Sequence, residues 1–144
     1  MKKIFKGLFV FLFLILLSGC AKDYKEITST KFMEVLKNET SYLVNTHTAL
    51  YDSNIETSIA ASSEKAQFLF FEFGSEKEAK EYVKKNYKDF SGYKYKDYGT
   101  YVEVKSSKDG YFRLVQINKI VISASSDIKS SKKEINNIFK KLGY

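Results

Sequence analysis

The sequence predicts an α+β domain, a two-layer sandwich in which an antiparallel sheet is covered on one face by about three helices. Three observations lead there. Segments with apolar residues at steps of three and four, opened by hydroxyl residues, alternate with short runs rich in β-branched and aromatic residues. The second half holds three such runs in succession, joined by turn dipeptides, which is the pattern of a meander. The chain has 144 residues, 44% of them hydrophobic, which suffices for one core and one domain.

The elements follow in order. The first helix is expected from about Thr28 to Asn38, with Thr28, Ser29 or Thr30 accepting from free backbone N–H groups and Phe32, Val35 and Leu36 facing inward. "YLVNTH" and "ETSIAAS" read as short strands with a turn near "YDSN". "AQFLFFEF", residues 66–73, is a near-continuous apolar run and reads as a central strand ended by Gly74. Ser75 then caps a helix, and Glu78 three residues on completes a capping box. Ala79, Tyr82, Val83, Tyr87 and Phe90 form its apolar face, with Glu81 and Lys85 paired on the other. "GTYVEVK", "YFRLVQI" and "IVISAS" form the meander, turning at Asp109-Gly110 and Asn118-Lys119. The last helix is expected from Ser131, with Glu134 completing a second capping box. Ile135, Ile138, Phe139 and Leu142 form its inner stripe, and Gly143 stands at the C′ position.

The first twenty residues follow a different pattern. Lys2, Lys3 and Lys6 give a basic opening, and Leu8 to Leu17 are ten consecutive apolar residues. About twenty are needed to cross a bilayer. Basic, apolar and small residues in that order make a secretory signal peptide. It ends in Leu17-Ser18-Gly19-Cys20, a branched apolar residue and two small ones before the chain's single cysteine. This tetrapeptide resembles the lipobox of bacterial lipoproteins. The resemblance implies a diacylglyceryl group on the Cys20 sulfur, cleavage between Gly19 and Cys20, and a lipid-anchored protein on the outer face of the cytoplasmic membrane. It divides the chain into a signal peptide (1–19), a lipidated cysteine with a short tether (20–27) and one α+β domain (28–144). The bland alternative is an uncleaved hydrophobic anchor with an incidental cysteine. An intramolecular disulfide has no second cysteine, and a metal site would have only one histidine to recruit. "FEFGSEKEAKEYVKK", the meander and the terminal "LGY" also resemble small lipoproteins of Gram-positive bacteria, a likeness that implies no activity.

The formal charge of +7 falls to +4 once residues 1–19 are set aside. An excess of that size suits an anionic membrane or wall surface and is too dispersed for nucleic acid. His47 has no carboxylate and nucleophile placed beside it by any motif, so it reads as an ordinary polar residue. Phosphate-loop, zinc-protease, nucleophile-elbow and paired-cysteine motifs do not occur. Asp97, Glu103 and Asp109 are too separated for a calcium loop. No catalytic residue, metal or cofactor is therefore expected.

One stretch stands out. "YKDFSGYKYKDYGTY", residues 87–101, interleaves lysines with tyrosines. Tyr93, Lys94, Tyr95, Lys96, Tyr98 and Tyr101 form a candidate binding surface that would stack on rings and attract anions. The competing and commoner reading is that the tyrosines fill the core edge while the lysines solvate a loop. The expected function is an extracytoplasmic, membrane-anchored binding or interaction module rather than an enzyme. Its expected partners are the membrane through lipid on Cys20, and an envelope protein, glycan or anionic wall polymer. The alternative is a structural or accessory envelope protein.

Overall fold

The computed structural model describes residues 24–39, 41–47 and 54–144. In chain order its elements are α1 (Ser29–Asn38), β1 (Leu43–His47), β2 (Ile55–Ser62), β3 (Gln67–Phe73), α2 (Glu76–Tyr87), β4 (Lys94–Asp97), β5 (Tyr101–Ser106), β6 (Tyr111–Ile117), β7 (Ile120–Ser126), a 3₁₀ turn (Lys129–Ser131) and α3 (Lys132–Lys141). The strands form one antiparallel sheet in the order β1-β2-β3-β7-β6-β5-β4. It consists of two meanders, β1–β3 and β4–β7, which join where β3 pairs with β7 from Gln67 opposite Ser125 to Glu72 opposite Ile120. The fold is α+β, as the sequence predicts. No helix among the described residues is long and apolar enough to cross a membrane.

The layering differs from the expectation. Helices α1 and α3 pack on one face of the sheet, but α2 packs on the other. The first face gathers Phe32 and Leu36 of α1 and Ile135, Ile138 and Phe139 of α3 around Phe68, Phe70, Val115 and Ile122. The second gathers Ala79 and Val83 of α2 around Phe71, Phe73, Val102, Val104, Leu114 and Val121. Successive strand residues point to opposite faces, so a strand that is apolar at both parities must be covered twice. β3 is such a strand: Phe68 and Phe70 enter one core, Phe71 and Phe73 the other. One layer of helices would have left two phenylalanines in water, at roughly 1.5–3 kcal/mol each.

The helix ends separate what is local from what is not. Thr28 caps α1 by accepting from Lys31 N at 3.2 Å. Ser75 caps α2 by accepting from Glu78 N at 3.3 Å, and its hydroxyl donates to Glu78 Oε2 at 2.9 Å. The capping box expected at Ser131 does not form. A 3₁₀ turn precedes α3, Ser131 has helical dihedrals and makes no side-chain cap. Its hydroxyl faces Lys65 O, and Glu134 instead accepts from Tyr42 Oη at 2.8 Å. Phe90, expected on the inner face of α2, lies beyond the helix end and is 59% exposed. The ion pairs along α2 are Lys80–Glu76 at 2.7 Å and Lys77–Glu81 at 3.9 Å. At the C-terminus Gly143 (φ 99°) closes a Schellman motif, with Tyr144 N donating to Phe139 O and Gly143 N to Lys140 O.

Gly110 is the tightest backbone position. It has φ 120°, and a Cβ there would lie 2.1 Å from Ser126 O. Gly99 also has positive φ (83°), but a Cβ there meets nothing within 4 Å. Gly110→Ala is expected to cost about 3 kcal/mol through combined strain and overlap, and Gly99→Ala about 1 kcal/mol through strain alone. Urea unfolding midpoints check this, and equal losses at the two sites would refute the steric account.

Candidate functional site

The tyrosine-lysine stretch covers the end of α2, the connection to β4, β4 itself and the turn into β5. The sequence analysis did not expect a strand at 94–97. Once it forms, alternation sends Tyr95 to one face and Lys94 and Lys96 to the other. Tyr95 stands opposite Val104 and joins the second core. Tyr93 meets Tyr87 and Phe112 edge-on at 5.6 and 5.2 Å, while Tyr87 stacks on Phe112 at 5.2 Å. These rings seal the second face at the end of α2.

Tyr98 and Tyr101 belong to the first face. They stack at 4.5 Å with their planes 17° apart. Tyr24 meets Tyr101 edge-on at 4.5 Å and Tyr144 at 5.4 Å, and Tyr144 Oη donates to Lys25 O at 3.0 Å. Tyr24 and Ile27, which fall in the expected tether, are therefore packed against the domain. The structure thus brings Tyr93 and Tyr95 to one face and Tyr98 and Tyr101 to the other, and does not join the four in one surface. Burial pushes the phenols of Tyr87, Tyr95, Tyr101 and Tyr144 up from the ordinary tyrosine value.

The lysines are brought together with residues that the sequence did not single out. Lys94 stands opposite Lys105, and Lys105 stands opposite Arg113, so three cations form a row across β4, β5 and β6. Directly opposed side chains have Cβ atoms only about 4.5–5.5 Å apart, and like charges there repel. Glu103, two residues from Lys105 and so on the same face, offsets part of this. Its Oε1 accepts from Arg113 Nη2 at 3.1 Å and pairs with Lys105 Nζ at 2.8 Å. Arg113 is 7% exposed, and its guanidinium lies 4.5 Å from the centre of the Phe139 ring. Its Nη1 donates to Asn136 Oδ1 at 3.0 Å, and its buried Nε has no hydrogen-bond partner among the described residues. Tyr111 Oη also donates to Asn136 Oδ1, at 3.0 Å. A cleft of about 320 Å³ opens here, lined by Lys94, Lys105, Ser106, Tyr111, Lys132 and Asn136 among others. Lys132 lies over the Tyr111 ring at 5.6 Å.

Arg113 had a signal in the sequence: a cation in the middle of "YFRLVQI" must either be buried or face a polar site. Lys105, Lys132 and Asn136 had none, because strand register and helix docking place them. The other sequence-based candidates are dispersed. His47 ends β1 with its backbone opposite Ser58. Asp97 Oδ1 accepts from Gly99 N at 2.8 Å and shapes a turn. Among the described residues no group of three or more His, Cys, Asp or Glu side chains gathers to hold a metal. Leu17, Ser18, Gly19 and Cys20 lie outside the described residues.

No protein-family model matches the chain, and no curated protein matches it closely enough to count as a relative.

Removing Glu103 would leave Arg113 and Lys105 without their shared carboxylate. Glu103→Gln is expected to cost about 3 kcal/mol in denaturant unfolding, the scale for breaking a buried pair. A loss below about 0.5 kcal/mol would show that Glu103 does not hold the row together. A second prediction concerns alkaline pH. Burial pushes the Tyr42 phenol up to about 12; the Ser63 hydroxyl opposes the rise and the Glu134 carboxylate adds to it. The folded state therefore keeps a proton that the unfolded chain releases near its ordinary value of about 10. The resulting stability is fully present below pH 10 and lost as pH rises toward 12. Tyr42→Phe is expected to flatten the fall of stability between pH 10 and 12; an unchanged slope would refute the assignment.

Proposed function

We propose that this chain is a lipid-anchored, extracytoplasmic binding or interaction module without a catalytic role, held through Cys20 at the outer face of the cytoplasmic membrane. The observation that carries this reading is Leu17-Ser18-Gly19-Cys20 after a basic opening and ten apolar residues. Two acyl chains anchor stably where one binds marginally. The packing of Tyr24 supports a close approach to the membrane. Residues 20–23 separate Cys20 from Tyr24, and four residues span at most about 14 Å. The end of the domain bearing Tyr98, Tyr101 and Tyr144 would then lie next to the lipid headgroups. The binding half of the reading is supported by the cationic cleft between β4, β5 and α3, where Glu103 offsets part of the positive charge. The alternative of an accessory envelope protein acting through surface charge draws support from the exposed lysines of α2, Lys77, Lys84 and Lys85.

Mass spectrometry of the protein extracted from membranes tests the anchor. The expected species begins at Cys20 and carries a diacylglyceryl group, and Cys20→Ser is expected to move the protein from the membrane pellet to the soluble fraction. An intact Met1 start with unmodified Cys20 would overturn the reading.

A further inference from the structure

We infer that the cleft between the β4–β5 edge and the first turn of α3 is a binding site for a phosphate group carried as a monoester or diester. This deepens the reading of the chain as a binding module, but it does not depend on the lipid. Four observations carry it.

The first is the row Lys94, Lys105 and Arg113, set side by side by strand register. A row of like charges lowers the stability of the empty protein. Lys105 and Arg113 share the Glu103 carboxylate, and Lys94, Lys105 and Lys132 line the cleft beside it. The nearby acids Asp109 and Asp127 line a neighbouring cleft, which shares Ser106 and Tyr111 with this one. An incoming phosphate, with one negative charge as a diester and up to two as a monoester, would supply countercharge.

The second is the orientation of Asn136. An arginine can only donate, so the atom that Arg113 Nη1 meets at 3.0 Å must be the amide oxygen. Tyr111 Oη donates to the same oxygen. Both bonds go to the amide oxygen, so the Nδ2 group is the part of Asn136 with donors to offer an occupant of the cleft. The third is the chemistry of the wall. Lys94, Lys105, Lys132 and Asn136 Nδ2 are donors, and Ser106 adds a hydroxyl that can donate. A wall of donors matches an acceptor-only anion and rejects cations. The fourth is the support beneath it. Glu103, Asn136 and the Phe139 ring hold the Arg113 guanidinium, so the positive field is set before any ligand arrives. At about 320 Å³ the cleft admits a phosphate with a short organic substituent and excludes a folded partner.

The test uses the full chain in a neutral detergent, at fixed ionic strength. Inorganic phosphate and a soluble oligomer of glycerol phosphate are titrated separately while the Asn136 side-chain amide and the Lys94 and Lys105 backbone amides are followed by NMR. A third arm compares phosphatidylglycerol with phosphatidylcholine vesicles, which separates a lipid headgroup from a free phosphate. Saturable shifts at Asn136 are expected, with affinity about tenfold weaker in Lys94→Gln and in Lys132→Gln. Both lysines are exposed, and neutralising them relieves repulsion, so these variants fold. They should also gain less thermal stability than the wild type on adding phosphate. Cys20→Ser is expected to bind phosphate as the wild type does, so loss of the anchor and loss of the site are separately visible. Headgroup binding that is sensitive to Lys94→Gln, without binding of the soluble oligomer, would assign the phosphate to lipid. Absence of saturable shifts in all three arms, or shifts unchanged by both lysine variants, would overturn the site.

Discussion

The structure depends on one constraint, the burial of β3 on both of its faces. Phe68 and Phe70 point to one side of the sheet, Phe71 and Phe73 to the other. A strand of that composition cannot lie at an edge or under a single layer of helices. It takes a central place, with β2 on one side and β7 on the other. The chain after β3 must then cross the second face, because that face needs a cover. Helix α2 provides it, and the crossing carries the chain past β7, β6 and β5 to start β4 at the far edge. The four-stranded meander returns from there to pair β7 with β3. Strand order, helix distribution and the position of β4 all follow from that demand.

The far edge is where apolar pressure is weakest and where charge collects. β4 is short and its lysines point to the first face, where Asn136 and Phe139 of α3 meet Arg113 of β6. Arg113 is the last cation inside the core boundary. It is held by Glu103 and Asn136 and flattened against Phe139. A leucine or methionine of similar volume would fill that space without needing a countercharge, and replacing buried ion pairs in this way is often neutral or stabilising. An arginine there is therefore poorly explained by stability alone, and better explained by the positive field it projects into the cleft above it.

The proposed lipid anchor and the cleft would suit each other. Lipid on Cys20 would bring the tyrosine-rich end near the bilayer, and proximity would raise the local concentration of surface-bound ligands. The tyrosines themselves act as packing. Tyr24, Tyr101 and Tyr144 fasten the segment before α1 to the C-terminal residue, which closes the domain at the point where the proposed anchor would pull on it.

Much was determined by the sequence alone, and the reason is range. Caps at Thr28 and Ser75, the turns at Asp109-Gly110 and Asn118-Lys119, and the C′ glycine at 143 are contests between neighbours, and local chemistry decides them. The apolar stripe of α3 is equally local. The resemblance of Leu17-Ser18-Gly19-Cys20 to a lipobox rests on four consecutive residues and needs no fold to be read. Other outcomes were decided by tertiary structure. Ser131 lost its cap because Lys65 and Tyr42 drew Ser131 and Glu134 elsewhere. The two-faced apolar content of "FLFFEF" was a readable sign that helices would cover both sides, but which helix took which side needed the sheet order. The tyrosine-lysine stretch shows the limit most clearly. Its sequence shows alternation, which looks like one mixed surface. Strand geometry turns alternation into separation, sending Tyr95 one way and Lys94 and Lys96 the other. The cleft residues Lys94, Lys105, Tyr111, Lys132 and Asn136 come from four different elements, and only register and helix docking bring them within reach of one another.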